Sequence, residues 1–149
     1  MKNDIVNYRN ANIIEAFRKV YKVSDTEAED IFIQMLNWFI FCENPKSEGY
    51  RNIDDSTVII DEMWHTFILF TPDYFKFCKK YIGHYIHHMP STNAVLAAQR
   101  ERAQEEIIEK KRKQYELVYD ILGKETFVKW YHEYAEKYSR EAIKSLRLV

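Results

Sequence analysis

Four of the five histidines, His65, His84, His87 and His88, fall between residues 65 and 88, with Cys78 in the same window and Asp61 just upstream. Scattered surface histidines do not cluster in this way. Asp61 and His65 are four residues apart, which on a helix puts them on one face with Trp64 alongside. An aspartate so placed can accept an imidazole N–H, fix the tautomer and raise the basicity of the other ring nitrogen. The Thr71-Pro72 elbow separates two predicted helices. At a rise of about 1.5 Å per residue, His65 and Cys78 stand about 7.5 and 9 Å from that corner, at nearly the same height. Cys78 shares an apolar face with Tyr74, Phe77 and Tyr81 and is expected to point inward. After Gly83, the run His84-Tyr85-Ile86-His87-His88 can return one or two imidazoles to the same place. The expected metal ligands are therefore Asp61, His65, Cys78 and His88, with Trp64, Tyr74, His84 and His87 as further site candidates. Such a mixed Asp/His/Cys donor set is borderline-soft and suits Zn²⁺ first and iron second. No organic cofactor is indicated.

These side chains need a scaffold, and its pattern is helical throughout. An all-α fold of six helices is expected. The first covers about 4–22, with Val6, Ile13, Phe17 and Val20 at helical spacing. Ser24-Asp25-Thr26-Glu27 has the form of a capping box and opens a second helix to about Glu43. The apolar residues of that helix cover most of its circumference, so it is expected to be central and buried. The only long irregular stretch is 44–56. Its Glu48, Arg51, Asp54 and Asp55 are candidates to line the mouth of a pocket. The third helix spans about 57–70. Thr71 as N-cap, Pro72 and Asp73 start the fourth, which Gly83 ends. Ser91 or Thr92 caps a long charged helix to about Leu122, supported by pairs such as Arg102–Glu106, Glu106–Lys110 and Glu109–Lys113. A last helix covers about 125–146. The reading is one helical domain over 1–149, with the chemistry-bearing part at 57–90 and a charged helical hairpin at 92–147.

Composition excludes several classes. The 149 residues carry 22 Lys+Arg against 23 Asp+Glu, a net charge of −1, which lacks the basic field of a nucleic-acid binder. Glycine and proline are scarce and aromatic residues make up 15 %, which argues against disorder and against a loop-rich β-sandwich. The run Lys110-Lys111-Arg112-Lys113 follows Glu105, Glu106 and Glu109 and reads as a solvated helix face. Two cysteines in aromatic segments do not make a disulfide framework. No stretch has the form of a secretory signal or a membrane span. The expectation is a cytoplasmic protein, with signal-less export as the alternative, and neither nucleic acid nor membrane as partner.

The series Asp61-x-x-Trp64-His65, then Tyr74, Cys78, Gly83 and His88, resembles the core of the glycine-rich domain-containing protein-like family, formerly a domain of unknown function. The segment IDEMWHTFILFTPDYFKFCKKYIGHYIHHMP looks like a short bacterial form of that core. There are departures. Phe67 stands where many members have a second histidine, Phe77 replaces an acidic residue before the cysteine, and the glycine-rich segment is absent. The resemblance implies no catalytic activity; it singles out the cluster, and His88 above His84 and His87.

Each candidate also has a plainer reading. Asp61–His65 is equally a hydrogen-bonded pair that locks helices, and Cys78 a small buried apolar group. Cys78 sits in mid-helix among aromatics, without the cations or helix N-terminus that favour a thiolate, so a nucleophilic triad is disfavoured. His84, His87 and His88 also suit a polar turn, and Trp64 and Tyr74 suit the core. Two functions compete. One is an interaction or scaffold module with a structural, zinc-stapled cluster, meeting a protein partner through the 92–147 hairpin. The alternative is a metal-dependent enzyme of hydrolytic or Lewis-acid type that uses the same cluster as an open site. A structural zinc site has four protein ligands; a catalytic one keeps a position free.

Overall fold

The computed structural model describes residues 2–89 and 92–149, and it is all-α. The sequence places the centre correctly. Ser24 accepts from the Glu27 amide at 3.1 Å while Glu27 accepts from the Ser24 amide, and this closed capping box starts helix α3, Asp25–Glu43. Ile31, Phe32, Met35, Leu36, Trp38, Phe39 and Phe41 on α3 are all buried, so the helix meets protein on every side. Two shorter helices precede it, α1 (Lys2–Val6) and α2 (Ala11–Val20). They replace the single expected helix over 4–22. Asn10 causes the break: its side chain accepts from the Asn12 amide at 3.1 Å and caps α2, and its Nδ2 donates to Asp73 at 2.9 Å.

Helix α4 (Val58–Leu69) and helix α5 (Thr71–Phe77) meet at the predicted elbow. Thr71 is not the N-cap expected of it. Phe70 holds that position, and no side chain caps α5. The chain continues as a π-helical turn, Cys78–Ile82, and stops at Gly83. There φ is 97°, and the amide donates to the Cys78 carbonyl at 2.8 Å.

Beyond this point the expected 92–122 helix is two helices, α6 (Asn93–Glu101) and α7 (Gln104–Leu122). Thr92 caps α6 by accepting from the Val95 amide at 3.2 Å, whereas Ser91 and Pro90 lie outside the described residues. The bend at Arg102–Ala103 separates a helix with no buried residue from one that buries Gln114, Leu117 and Val118. The ion pairs that form on α7 are Arg112 with Glu109 and with Glu116. Arg102–Glu106, Glu106–Lys110 and Glu109–Lys113 are not among the ion pairs of the described residues.

The last expected helix, 125–146, is also broken. Helix α8 (Lys124–Val128) runs through a π-helical turn, Lys129–Tyr134, into α9 (Ala135–Lys137). Ser139 then caps a separate α10, Arg140–Leu146, by accepting from the Ala142 amide. Trp130, Tyr134 and Tyr138 lie buried along α3. Trp130 Nε1 donates to Gln34 at 2.9 Å, Lys129 meets Asp30 at 2.9 Å, and Tyr138 donates to Glu27 at 3.0 Å. The apolar stripe of the C-terminal segment is therefore occupied by the protein itself. The tail returns to α2, where the Leu148 amide donates to the Val20 carbonyl at 2.7 Å.

Candidate functional site

Helix α4 is two-faced. Met63, Trp64 and Phe67 turn into the core, and Asp61 and His65 stand one turn apart on the other side. Gly83 redirects the chain so that the extended segment 84–89 passes back over this face. His88 then reaches Asp61, with Nε2 at 2.7 Å from Oδ1. Its ring lies 4.2 Å from Trp64 and 4.5 Å from His65, centroid to centroid. His65 Nε2 is 3.5 Å from Asp61 Oδ2, and His65 Nδ1 is 3.8 Å from Glu62. One donor atom from each of Asp61, His65 and His88 can be chosen so that all lie within 4.8 Å of one another. The Asp61 and His88 side chains are mostly covered, at 17 % and 14 % exposure, while His65 is 47 % exposed.

Cys78 does not belong to that group. Its i, i+4 relation to Tyr74 puts both under the returning segment. Burial pushes the Cys78 thiol up, and the Ile86 backbone and Tyr74 hydroxyl beside it pull the other way. Tyr74 is the better-defined anchor. It accepts from Trp64 Nε1 at 3.0 Å and donates to the Ile86 carbonyl at 2.6 Å. A chain of hydrogen bonds thus links α4, α5 and the segment carrying His88. Trp64, Tyr74 and Cys78 hold the site, while Asp61, His65 and His88 compose it. Tyr74→Phe leaves a buried indole N–H and a carbonyl unpaired, so a loss of about 1–3 kcal/mol is expected in chemical denaturation. A His88 imidazole less firmly held by NMR should accompany it.

The other two histidines of the window go elsewhere. His84 Nε2 lies 2.9 Å from Glu43 and Nδ1 is 3.2 Å from the Tyr85 carbonyl. With an acceptor at each nitrogen the imidazolium is favoured, and the hydrogen bond to Glu43 is the main cause of a raised pKa. This contribution is fully present below the ordinary imidazole value and is lost as pH rises through the raised one. Glu43→Gln should therefore lower the melting temperature at a pH below the ordinary imidazole value and have progressively less effect as pH rises past it, as scanning calorimetry would show. His87 meets only the Tyr85 ring among the described residues.

The cluster opens on a cavity of about 1320 Å³. From the 44–56 loop, Arg51 and Asp54 line it as expected; Glu48 and Asp55 do not. Glu48 faces a smaller pocket, and Asp55 pairs with Arg140. The loop is fixed by buried Gln114, which accepts from the Asn52 amide at 2.9 Å and donates to its carbonyl at 2.8 Å. Helix α6 and the start of α7 close another side with Leu96, Arg102, Ile107 and Lys110. Sequence reasoning did not assign these residues to the site, because only tertiary packing brings them there. Burial also pushes the Cys42 thiol up to about 12, so neither cysteine is poised as a thiolate.

The fold and the site together define an all-α protein with a carboxylate–imidazole cluster at the edge of a large cavity. The chain belongs to the UCP032817-like family, whose model matches residues 3–128. This corrects the resemblance to the glycine-rich domain-containing protein-like family, which rested on residues 60–90 alone. Phe67, which replaces the second histidine of that family, is fully buried among aromatic rings and belongs to the core. Comparisons with curated proteins and with solved structures give no match.

Proposed function

We propose that Asp61, His65 and His88 hold a divalent cation in a three-ligand site facing the cavity, and that the protein is a metal-dependent enzyme of hydrolytic or Lewis-acid type. The observation that carries this is the mutual approach of the three donors within 4.8 Å on a cavity wall, with His65 half exposed. One carboxylate and two imidazoles suit Zn²⁺ best and iron second. Bonds of about 2.0–2.1 Å in a tetrahedron space ligand atoms about 3.3–3.4 Å apart. His65 lies 3.5 Å from Asp61 Oδ2, close to that spacing, and the three donors, within 4.8 Å of one another, would draw in around the cation. The 2.7 Å between His88 and Asp61 Oδ1 is a hydrogen bond that the cation would replace, and because ligands bind metal deprotonated, uptake weakens as pH falls. When bound, such a cation lowers the pKa of a coordinated water to about 7. With Cys78 outside the donor group, the four-ligand zinc staple loses its fourth member among the described residues. For the partner-binding expectation, exposed residues remain on every helix of the 92–147 segment, and α6 buries none.

Elemental analysis of tag-free protein tests the proposal. Stoichiometric zinc or iron is expected in the parent and none in His65→Ala. Metal in neither, together with no uptake on titration with Zn²⁺ or Fe²⁺, would return the cluster to packing.

A further inference from the structure

The charges around the cavity are unequal in sign and in availability. Although the whole chain carries −1, the cavity is lined by five Lys and Arg side chains against three carboxylates. Every carboxylate there is engaged. Glu43 faces His84, Asp61 faces His88, and Asp54 accepts from the Ser56 amide at 2.9 Å and the Tyr115 hydroxyl at 3.2 Å. The Gln114 amide accepts from and donates to the Asn52 backbone. Three of the cations are also drawn aside, Arg140 to Asp55, Lys111 towards Asp54, and Arg51 to Ser47 and the Asn44 carbonyl. Among the described residues, the Arg102 and Lys110 side chains have no hydrogen-bond or ion-pair partner. Trp38, 1 % exposed and also on the cavity wall, has an indole N–H with no acceptor.

The unpaired charges around this cavity, Arg102 and Lys110, are thus both positive, and their complement is an anion. We infer that the cavity binds a phosphorylated small molecule, a reading that rests on the cluster being a cation site and names its substrate class. A phosphoryl group has three oxygens to share among a cation, a guanidinium and an ammonium, where a carboxylate has two. Ile53, Tyr85, Leu96 and Ile107 give the cavity apolar wall for an organic body. The volume of about 1320 Å³ exceeds the ~300–1,000 Å³ usual for small-molecule sites, so there is room for one.

Equilibrium dialysis with pyrophosphate, on metal-free and zinc-loaded protein, tests this. The parent should bind pyrophosphate, and Arg102→Gln/Lys110→Gln should bind it at least about 10-fold more weakly while taking up zinc unchanged. Arg102 is exposed and Lys110 half-buried with no partner of its own, so the variant should fold. No pyrophosphate binding by the parent, equal binding by the double variant, or equally effective displacement by citrate would overturn the inference and leave the cation site standing. If the parent takes up no cation, the proposed function falls. Dependence of pyrophosphate binding on Arg102 and Lys110 in metal-free protein would then decide the phosphoryl pocket by itself.

Discussion

His65→Ala should fold as well as the parent and lose cation binding by more than about 100-fold, beyond what loss of an outer-sphere partner costs. The two halves of this result come from the same geometry. His65 is half exposed, and its contacts with Asp61 at 3.5 Å and Glu62 at 3.8 Å are loose. Removing such a group is expected to change stability by no more than about 0.5 kcal/mol. In the proposed site it supplies one of three donors, and two donors do not make a metal site. His88→Ala is a poorer test. It removes the 2.7 Å bond to Asp61 and the contact with Trp64, so about 1–3 kcal/mol of stability should go with the ligand. Denaturation curves and zinc titrations on the two variants separate a ligand role from a packing role. A His65→Ala protein that binds zinc as tightly as the parent would remove His65 from the ligand set.

Phe67→Ala should produce the largest loss of stability, about 3–5 kcal/mol. The ring is fully buried and touches Tyr8, Phe32, Phe39, Tyr74 and Phe77, with centroids 5.0–6.5 Å apart. It is the point where α3, α4, α5 and the segment before α2 meet. A cavity left there has rigid aromatic walls that collapse poorly, which sets the cost at the upper end. Against a total stability of about 5–15 kcal/mol, this is a large fraction. Phe67 also packs edge-on against Tyr74 at 5.0 Å, so the disturbance should reach the Trp64–Tyr74–Ile86 chain that holds His88. The urea midpoint should fall sharply, with weaker zinc uptake in the fraction still folded. A loss below about 1 kcal/mol would show that the aromatic cluster is not the organising core.

The elements read correctly in the sequence are those with a local physical cause. The Ser24/Glu27 capping box, the Pro72 elbow and the Gly83 stop each act within one turn of the chain, and the enclosing apolar pattern of α3 needs no partner to be seen. The errors share the opposite character. Asn10 looks like an ordinary helix residue until Asp73, sixty-three positions away, takes its side-chain amide. The charge pattern of 99–114 runs evenly through the bend at Arg102–Ala103, because the bend divides an exposed helix from a packed one. Ser139 was a capping signal in plain view, hidden by the aromatic stripe that continues past it.

The same division holds for the site. Asp61 and His65 are one helical turn apart, and their pairing follows from spacing. His88 was within reach because a glycine stop precedes it by five residues. Equal height above the elbow points Cys78 at the cluster, but height does not fix direction. Its sulfur lies with Tyr74 and Ile86, beneath the segment that delivers His88. Leu96, Arg102 and Lys110 come from beyond the 44–56 loop, and no local pattern announces that they share a cavity with its Arg51 and Asp54.

The most direct test of the central claim is anomalous diffraction at the zinc edge from crystals of the tag-free protein grown with one equivalent of Zn²⁺. One anomalous peak is expected, bonded to Asp61, His65 and His88, with Cys78 Sγ outside bonding distance. A peak ligated by Cys78, or none near His65 while Asp61 and His88 keep their hydrogen bond, would contradict it.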